Sequence, residues 1–188
     1  GGYNRMHAIF GTSSQCIAVH PSDMCVALAA LEAEVLVQSP AGKRSIPFSQ
    51  FHRLPENNAQ LDNTLKKGEL ITHIQLKTSP FKKHVHYLKL RDRSSYAFAL
   101  VSVAVALQMD GNTIQQCRIV LGSVAHKPWR LTAVEKVLTG KTVSEKLIKD
   151  AAAQSINGAK AFAHNKYKLT ITPAAVEEAI AKAIKGIN

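Results

Sequence analysis

One stretch of this chain restricts the fold more than any other. Ala97 to Leu107 is apolar at nearly every position, with valines at 101, 103 and 105. Its length would suit a helix, but β-branched residues in alternate positions favour a strand. A strand apolar on both sides is buried on both sides, which places it at the centre of a covered sheet. The preceding segment, Tyr87-Leu88-Lys89-Leu90-Arg91, alternates, with Leu88 and Leu90 on one face and Tyr87, Lys89 and Arg91 on the other. Asp110-Gly111 follows the apolar run and predicts a hairpin, because glycine tolerates the positive φ that a tight turn demands. Three antiparallel strands are therefore expected: His84 to Arg91, Tyr96 to Gln108 and Thr113 to Val124.

Helical patterns close the chain. Thr132-Ala133-Val134-Glu135 has the form of a capping box, and Gly140 marks the stop. Ser144 caps a second helix whose apolar face includes Leu147, Ile148 and Ala151. A third is expected to start at Thr172 with Pro173 in its first position, its stripe formed by Val176, Ala179, Ile180, Ala183 and Ile184. A three-stranded antiparallel sheet covered on one face by about three helices is the natural α+β arrangement.

The N-terminal part reads differently. His7 to Phe10 and Cys16 to Val19 are expected as short strands around the small-residue loop Gly11-Thr12-Ser13-Ser14. His20-Pro21-Ser22-Asp23 opens a helix with Met24, Ala27, Leu28 and Leu31 at helical spacing. Strands follow at Val35 to Gln38, Arg44 to Phe48 and Leu70 to Leu76, with a polar loop from Pro55 to Asn63. A boundary near Ser79-Pro80 divides the chain into 1–79 and 80–188.

The 188 residues carry 24 basic and 13 acidic side chains, an excess that attracts anionic partners. Lys66-Lys67 and Lys82-Lys83 are only short pairs, and other charges are scattered along helices without interleaved aromatics, which argues against a dedicated nucleic-acid groove. Cys16, Cys25 and Cys117 form no C-x-x-C pair and read as free thiols in reducing conditions; no metal site is expected from these three. His84-Val85-His86 puts two imidazoles on one side of a strand, but no carboxylate or thiol stands near them in sequence, so a solvated edge is the plainer reading. No nucleophile elbow, P-loop or G-x-G-x-x-G is present, and no catalytic residue is assigned. The helix opening at Ser22-Asp23 is more suggestive. Free N–H groups, a hydroxyl and a carboxylate gather there, suited to a ribityl, ribose or ring N–H partner, although a plain N-cap has the same pattern. The residues alone leave two classes open: part of an enzyme, or a basic α+β module that binds nucleic acid or scaffolds an assembly.

Several segments together resemble the FAD-binding (middle) subunit of the molybdenum hydroxylases, the xanthine dehydrogenase, aldehyde oxidoreductase and CO dehydrogenase flavoprotein family. They are Asn4 to Gly11, Cys16 to Asp23, Ala27 to Ala33, Lys89 to Leu107 and Asn165-Lys166-Tyr167-Lys168. The His-Pro-Ser-Asp and Arg-Asp-Arg-Ser-Ser-Tyr-Ala-Phe-Ala-Leu forms are most similar to the bacterial aldehyde oxidoreductase branch. The resemblance implies the second half of a PCMH-type FAD-binding domain in 1–79 and a flavoprotein C-terminal domain in 80–188. It implies an oxidoreductase subunit that passes electrons from iron–sulfur clusters through FAD to an external acceptor. The molybdenum cofactor and the clusters would lie on partner subunits. Carried over by position, Asp23 matches an FAD-contacting aspartate, Ile71 an apolar residue packing near the flavin, and Lys89 a lysine at the cofactor edge. Gly11 matches the family's glycine-containing loop more loosely, and Ser22 joins the set through the helix opening. The subdomain whose glycine-rich loop holds the FAD pyrophosphate has no counterpart here, nor has a cysteine-rich cluster loop. The expectation is half an FAD site on the C-terminal part of a subunit, inactive alone. A cytoplasmic setting is expected, or a periplasmic one by co-export with a partner.

Overall fold

The computed structural model describes residues 2–186. Its N-terminal half contains α1 (Asp23–Ala30), β1 (Glu34–Ser39), β2 (Gly42–Pro47), the single turn α2 (Phe48–Phe51) and β3 (Leu70–Gln75). The rest runs β4 (His84–Leu90), β5 (Val101–Asp110), β6 (Thr113–Gly122), β7 (Trp129–Arg130), α3 (Thr132–Leu138), β8 (Lys141–Thr142), α4 (Glu145–Ala153) and α5 (Tyr167–Lys185). Two antiparallel sheets result, β2-β1-β3 and β4-β5-β6-β7, with β8 added to the far end of β6. No helix among the described residues is long and apolar enough to cross a membrane.

The larger sheet is built around the doubly apolar strand. Val101, Val103, Val105 and Leu107 join Ile119, Leu121, Val134, Leu138, Val176 and Ile180 in the main core, so α3, α4 and α5 cover that face. The alternate residues meet a different helix: Ala104 and Val120 pack on Val26 and Ala30 of α1. The strand is apolar on both sides because helices lie on both sides, one of them from the N-terminal half. This corrects the stripe expected for α1. Met24 is exposed, while Cys25, Leu28 and Ala29 turn toward the small sheet's core of Val35, Val37, Ile46 and Phe48. A helix of two turns wedged between two sheets has two contact lines, and a one-sided periodicity does not describe it.

Four further expectations change. The segments 7–10 and 16–19 are not strands. Ala8 N–H donates to the Ile17 carbonyl, and Ile9 and Phe10 both donate to the Val124 carbonyl, which leaves no run of consecutive ladder bonds. Residues 96–100 lie outside β5, held by one bond from Leu100 N–H to the Leu90 carbonyl. The capping box at Thr132 does not form, because the Glu135 carboxylate accepts instead from the Ile119 N–H at 2.9 Å and from the Arg130 Nε at 2.9 Å. Finally, α5 starts at Tyr167, six residues before Pro173, which sits inside it. Proline there removes the donor for the Leu169 carbonyl. The helix tolerates this because its start is fixed from elsewhere.

That anchor is Lys168, which is fully buried. Its ammonium donates to the carbonyls of Met6 and His7 at 3.0 Å each and of Ser123 at 2.6 Å. Burial, with Arg5 nearby, lowers its pKa to about 8, so at neutral pH it still holds the proton those carbonyls accept. Asn165, also buried, donates to the His7 and Ala8 carbonyls and accepts from Phe162 N–H, while the Tyr167 hydroxyl donates to the Arg5 carbonyl. The Asn-Lys-Tyr-Lys run thereby clasps the N-terminal segment onto the exit of β6.

Two measurements check this construction. Lys168→Met leaves the inward-facing Met6 and Ser123 carbonyls without this donor, the His7 carbonyl keeping Asn165, and is expected to cost about 3 kcal/mol in denaturant unfolding. The folded protein releases the Lys168 proton near pH 8 and the unfolded chain near the ordinary 10.5. Stability contributed by this group therefore rises with pH between those values, and the rise should vanish in the variant. At the contact of α1 with the sheet, a Cβ on Gly122 would strike Ser102 Oγ and come within 2.5 Å of Val26 Cγ2. Gly122→Ala is expected to lower stability by about 1–3 kcal/mol through overpacking, read as a shift in the unfolding midpoint.

Candidate functional site

The candidate site lies where α1 begins beside β4. Ser22 caps the helix, its hydroxyl accepting from the Cys25 N–H at 3.3 Å, which fixes Asp23 in the first turn. Across from it, the alternation of β4 turns Leu88 into the main core and Tyr87 and Lys89 toward α1. Their register on β5, Tyr87 opposite Ala104 and Lys89 opposite Ser102, sets both on the α1 side of the sheet. Asp23 thus receives two donors: Lys89 Nζ at 2.6 Å and the Tyr87 hydroxyl at 3.1 Å. Burial and the neighbouring Asp23 carboxylate hold the Tyr87 phenol well above its ordinary value, so it stays a neutral donor.

Asp23 and Lys89 border a cleft of about 680 Å³, lined also by Pro21, Ser22, Tyr96, Ala97 and Phe98. That size falls within the range of cofactor and ligand sites. Tyr96 and Phe98 are exposed and offer aromatic faces at its rim. The turn carrying them is tied down by charge. Arg91 donates to the Ser95 carbonyl at 2.8 Å, and Arg5 grips Asp92 through both carboxylate oxygens at 2.8 and 2.6 Å. The Asp92 carboxyl is held below its usual range by the Arg5 guanidinium. The pair Asp23–Lys89 is itself partly exposed, so it adds at most about 1 kcal/mol to stability and is free to exchange partners with a ligand.

Of the five residues singled out in the sequence, three meet here: Ser22, Asp23 and Lys89. Ile71 does not line this cleft. It stands on β3, opposite Val37 in the small sheet, with 41% of its surface exposed. Gly11 also lies elsewhere. It has φ +60, a backbone conformation that favours glycine, and a Cβ there would come within 2.6 Å of the Leu54 side chain. Sequence reading passed over Tyr87, Tyr96 and Phe98 as site residues. The alternation of β4 pointed to Tyr87, but the two aromatic rings at the rim were hidden by extending β5 back to Tyr96. The paired histidines are not a chelating edge either, since His84 Nδ1 lies 2.9 Å from the Ile184 carbonyl and 3.2 Å from that of Ala183, at the end of α5.

A cleft with an acceptor carboxylate, a donor ammonium and two aromatic side chains suits a planar heterocycle bearing ring N–H and carbonyl groups. Residues 86–183 match the CO dehydrogenase flavoprotein C-terminal domain, and residues 12–77 match the FAD binding domain in molybdopterin dehydrogenase. The aldehyde oxidoreductase FAD-binding subunit PaoB of Escherichia coli is 47% identical over 139 residues, covering 73% of this chain and 42% of that protein. The glyceraldehyde dehydrogenase medium chain of Sulfolobus acidocaldarius is 35% identical over 133 residues, covering 71% of this chain and 45% of its own length. This chain therefore spans less than half of the curated relatives it matches. Among solved structures, quinoline 2-oxidoreductase from Pseudomonas putida 86 superposes with a TM-score of 0.74 at 23% identity, over 97% of this chain and 59% of the other. CO dehydrogenase from Oligotropha carboxidovorans gives 0.76 at 21% identity, over 87% and 57%. At such identities the superpositions speak for the fold, and the sequence matches speak for descent. The chain belongs to the CO dehydrogenase flavoprotein family, the FAD-binding flavoproteins of the molybdenum hydroxylases.

Proposed function

We propose that this chain forms one wall of an FAD site in a molybdenum-dependent hydroxylase or dehydrogenase. The carrying observation is the meeting of Asp23 and Lys89 on one cleft rimmed by Tyr96 and Phe98, with the Tyr87 hydroxyl holding Asp23 in place. Asp23 would accept from a ring N–H, and Lys89 would donate to a ring carbonyl oxygen. Ser22 stands beside them at the positive end of α1. FAD, when bound, supplies the electron-carrying chemistry; the chain's own residues bind it, orient it and set the charge around its ring. Lys89, released from Asp23, would place a positive charge where a reduced ring gathers negative charge, which favours acceptance of electrons.

A one-walled site is supported by the small sheet. Edge strand β3 is exposed along its whole length, with Leu70, Ile71, Ile74 and Leu76 all open to solvent. An apolar edge of that kind calls for a covering element. The remainder of an FAD-binding domain would cover it and bring Ile71 toward the cofactor. As the family resemblance implies, electrons would leave a substrate at a molybdenum-cofactor subunit, arrive through an iron–sulfur subunit and pass through FAD to an external acceptor. The family match favours this reading over a nucleic-acid-binding module.

Flavin titration tests it. The purified chain is expected to hold FAD weakly and below one per chain, and Asp23→Ala or Lys89→Ala should each weaken binding about tenfold, or ~1.4 kcal/mol, with little change in unfolding midpoint. One tightly held flavin per chain would overturn the half-site reading. Unchanged flavin affinity in both variants would remove this cleft from the site.

A further inference from the structure

A second cluster lies just behind the opening of α1. His20, Cys25 and His52 each offer one ligand atom, and the three atoms lie within 4.8 Å of one another. The two imidazole rings are 4.4 Å apart between centroids. His20 Nε2 and His52 Nδ1 are both buried and have no hydrogen-bond partner. Buried ring nitrogens without partners are uncommon, because each forfeits its hydration with nothing in return. Around the trio stand His126, whose Nε2 is 3.1 Å from Cys16 Sγ, and Asp62, whose charge acts on His20, His52 and His126.

We propose that His20, Cys25 and His52 form a zinc-type metal site. Two imidazoles and one thiolate are the donor set that zinc selects, with a fourth position left for water or a nearby side chain. Zinc–nitrogen and zinc–sulfur bonds set tetrahedral edges of roughly 3.3–3.7 Å, so small side-chain rotations close the trio around an ion. A neutral imidazole offers a ring-nitrogen lone pair, and neither His20 Nε2 nor His52 Nδ1 is engaged by another group. Binding replaces the Cys25 S–H bond with a sulfur–metal bond, and the proton leaves to the buffer. The ion would join residues separated by 27 positions in the chain, fastening the loop after α2 to the first turn of α1. Since Cys25 is two residues from Asp23, the same ion would brace the turn that presents Asp23 to the cleft. Sequence spacing gave no sign of this, because no two of the ligands form a short metal-binding motif and His52 reads as an ordinary loop residue.

Cobalt substitution tests the site without reference to flavin. The metal-free chain titrated with Co2+ is expected to develop the d–d bands of a tetrahedral ion and a thiolate charge-transfer band, saturating at one equivalent and displaced by Zn2+. Cys25→Ser should lose the charge-transfer band, Cys16→Ser should keep it, and His52→Gln should weaken binding tenfold or more. As a measurement that needs no variant, Zn2+ should protect Cys25 from alkylation, read by peptide mass spectrometry. Absence of a thiolate band at excess Co2+, its survival in Cys25→Ser, its loss in Cys16→Ser, or unprotected Cys25 with Zn2+ present would each overturn the proposal.

Discussion

Much of this structure depends on one buried ammonium. Lys168 enters the interior from the first turn of α5 and satisfies three carbonyls that no backbone ladder reaches. Two belong to the N-terminal segment and one to Ser123, which takes φ +61 as the chain leaves β6. An isolated charge in such a place would be costly; three acceptors make it tolerable and give it direction. With Asn165 and Tyr167 it holds an irregular N-terminal segment against the main core, where Ile9 and Phe10 are buried. The segment needs no strand of its own because side chains from the far end of the chain supply its hydrogen bonds.

That anchorage has a consequence for the cleft. The chain leaves the clasp, crosses Gly11 to Val19 and reaches α1, with His20 N–H bonded to the Ala125 carbonyl just after β6. α1 is therefore located by two attachments to one sheet: that bond before it and the Val26–Gly122 approach within it. Asp23 then falls opposite Tyr87 and Lys89. An electrostatic constellation made of partly exposed, weakly bound pairs is kept in shape by contacts that are buried and apolar. This division lets the polar groups change partners while the scaffold stays fixed.

Polar networks elsewhere account for most departures from local rules. Glu135 has the position of a capping-box acid but answers the Ile119 N–H and Arg130, and Arg130 continues to Glu32, which also binds Arg118. A buried carboxylate beside the Arg130 guanidinium and the Ile119 N–H finds better partners there than at its own helix terminus. Pro173 misleads for a similar reason. Proline is a good first-turn residue, yet here the helix is already nucleated by the Asn165–Lys168 clasp, and one missing bond does not stop it.

From sequence alone, the central strand, its hairpin, the helices after it and the outward alternation of Tyr87 and Lys89 were legible, because each follows from the period of the apolar residues within a single element. Motif resemblance pointed to Asp23 and Lys89, since those residues sit in short contiguous runs. What only the tertiary structure decided are the relations between distant runs: which face of α1 meets which sheet, that Lys168 reaches across the core to residues 6 and 7, and that His52 comes to lie beside His20 and Cys25. Periodicity reports which side of an element is apolar and is silent about what will cover it. Contacts between residues far apart in the chain are set by how whole faces pack, and that packing exists only once every element is in place.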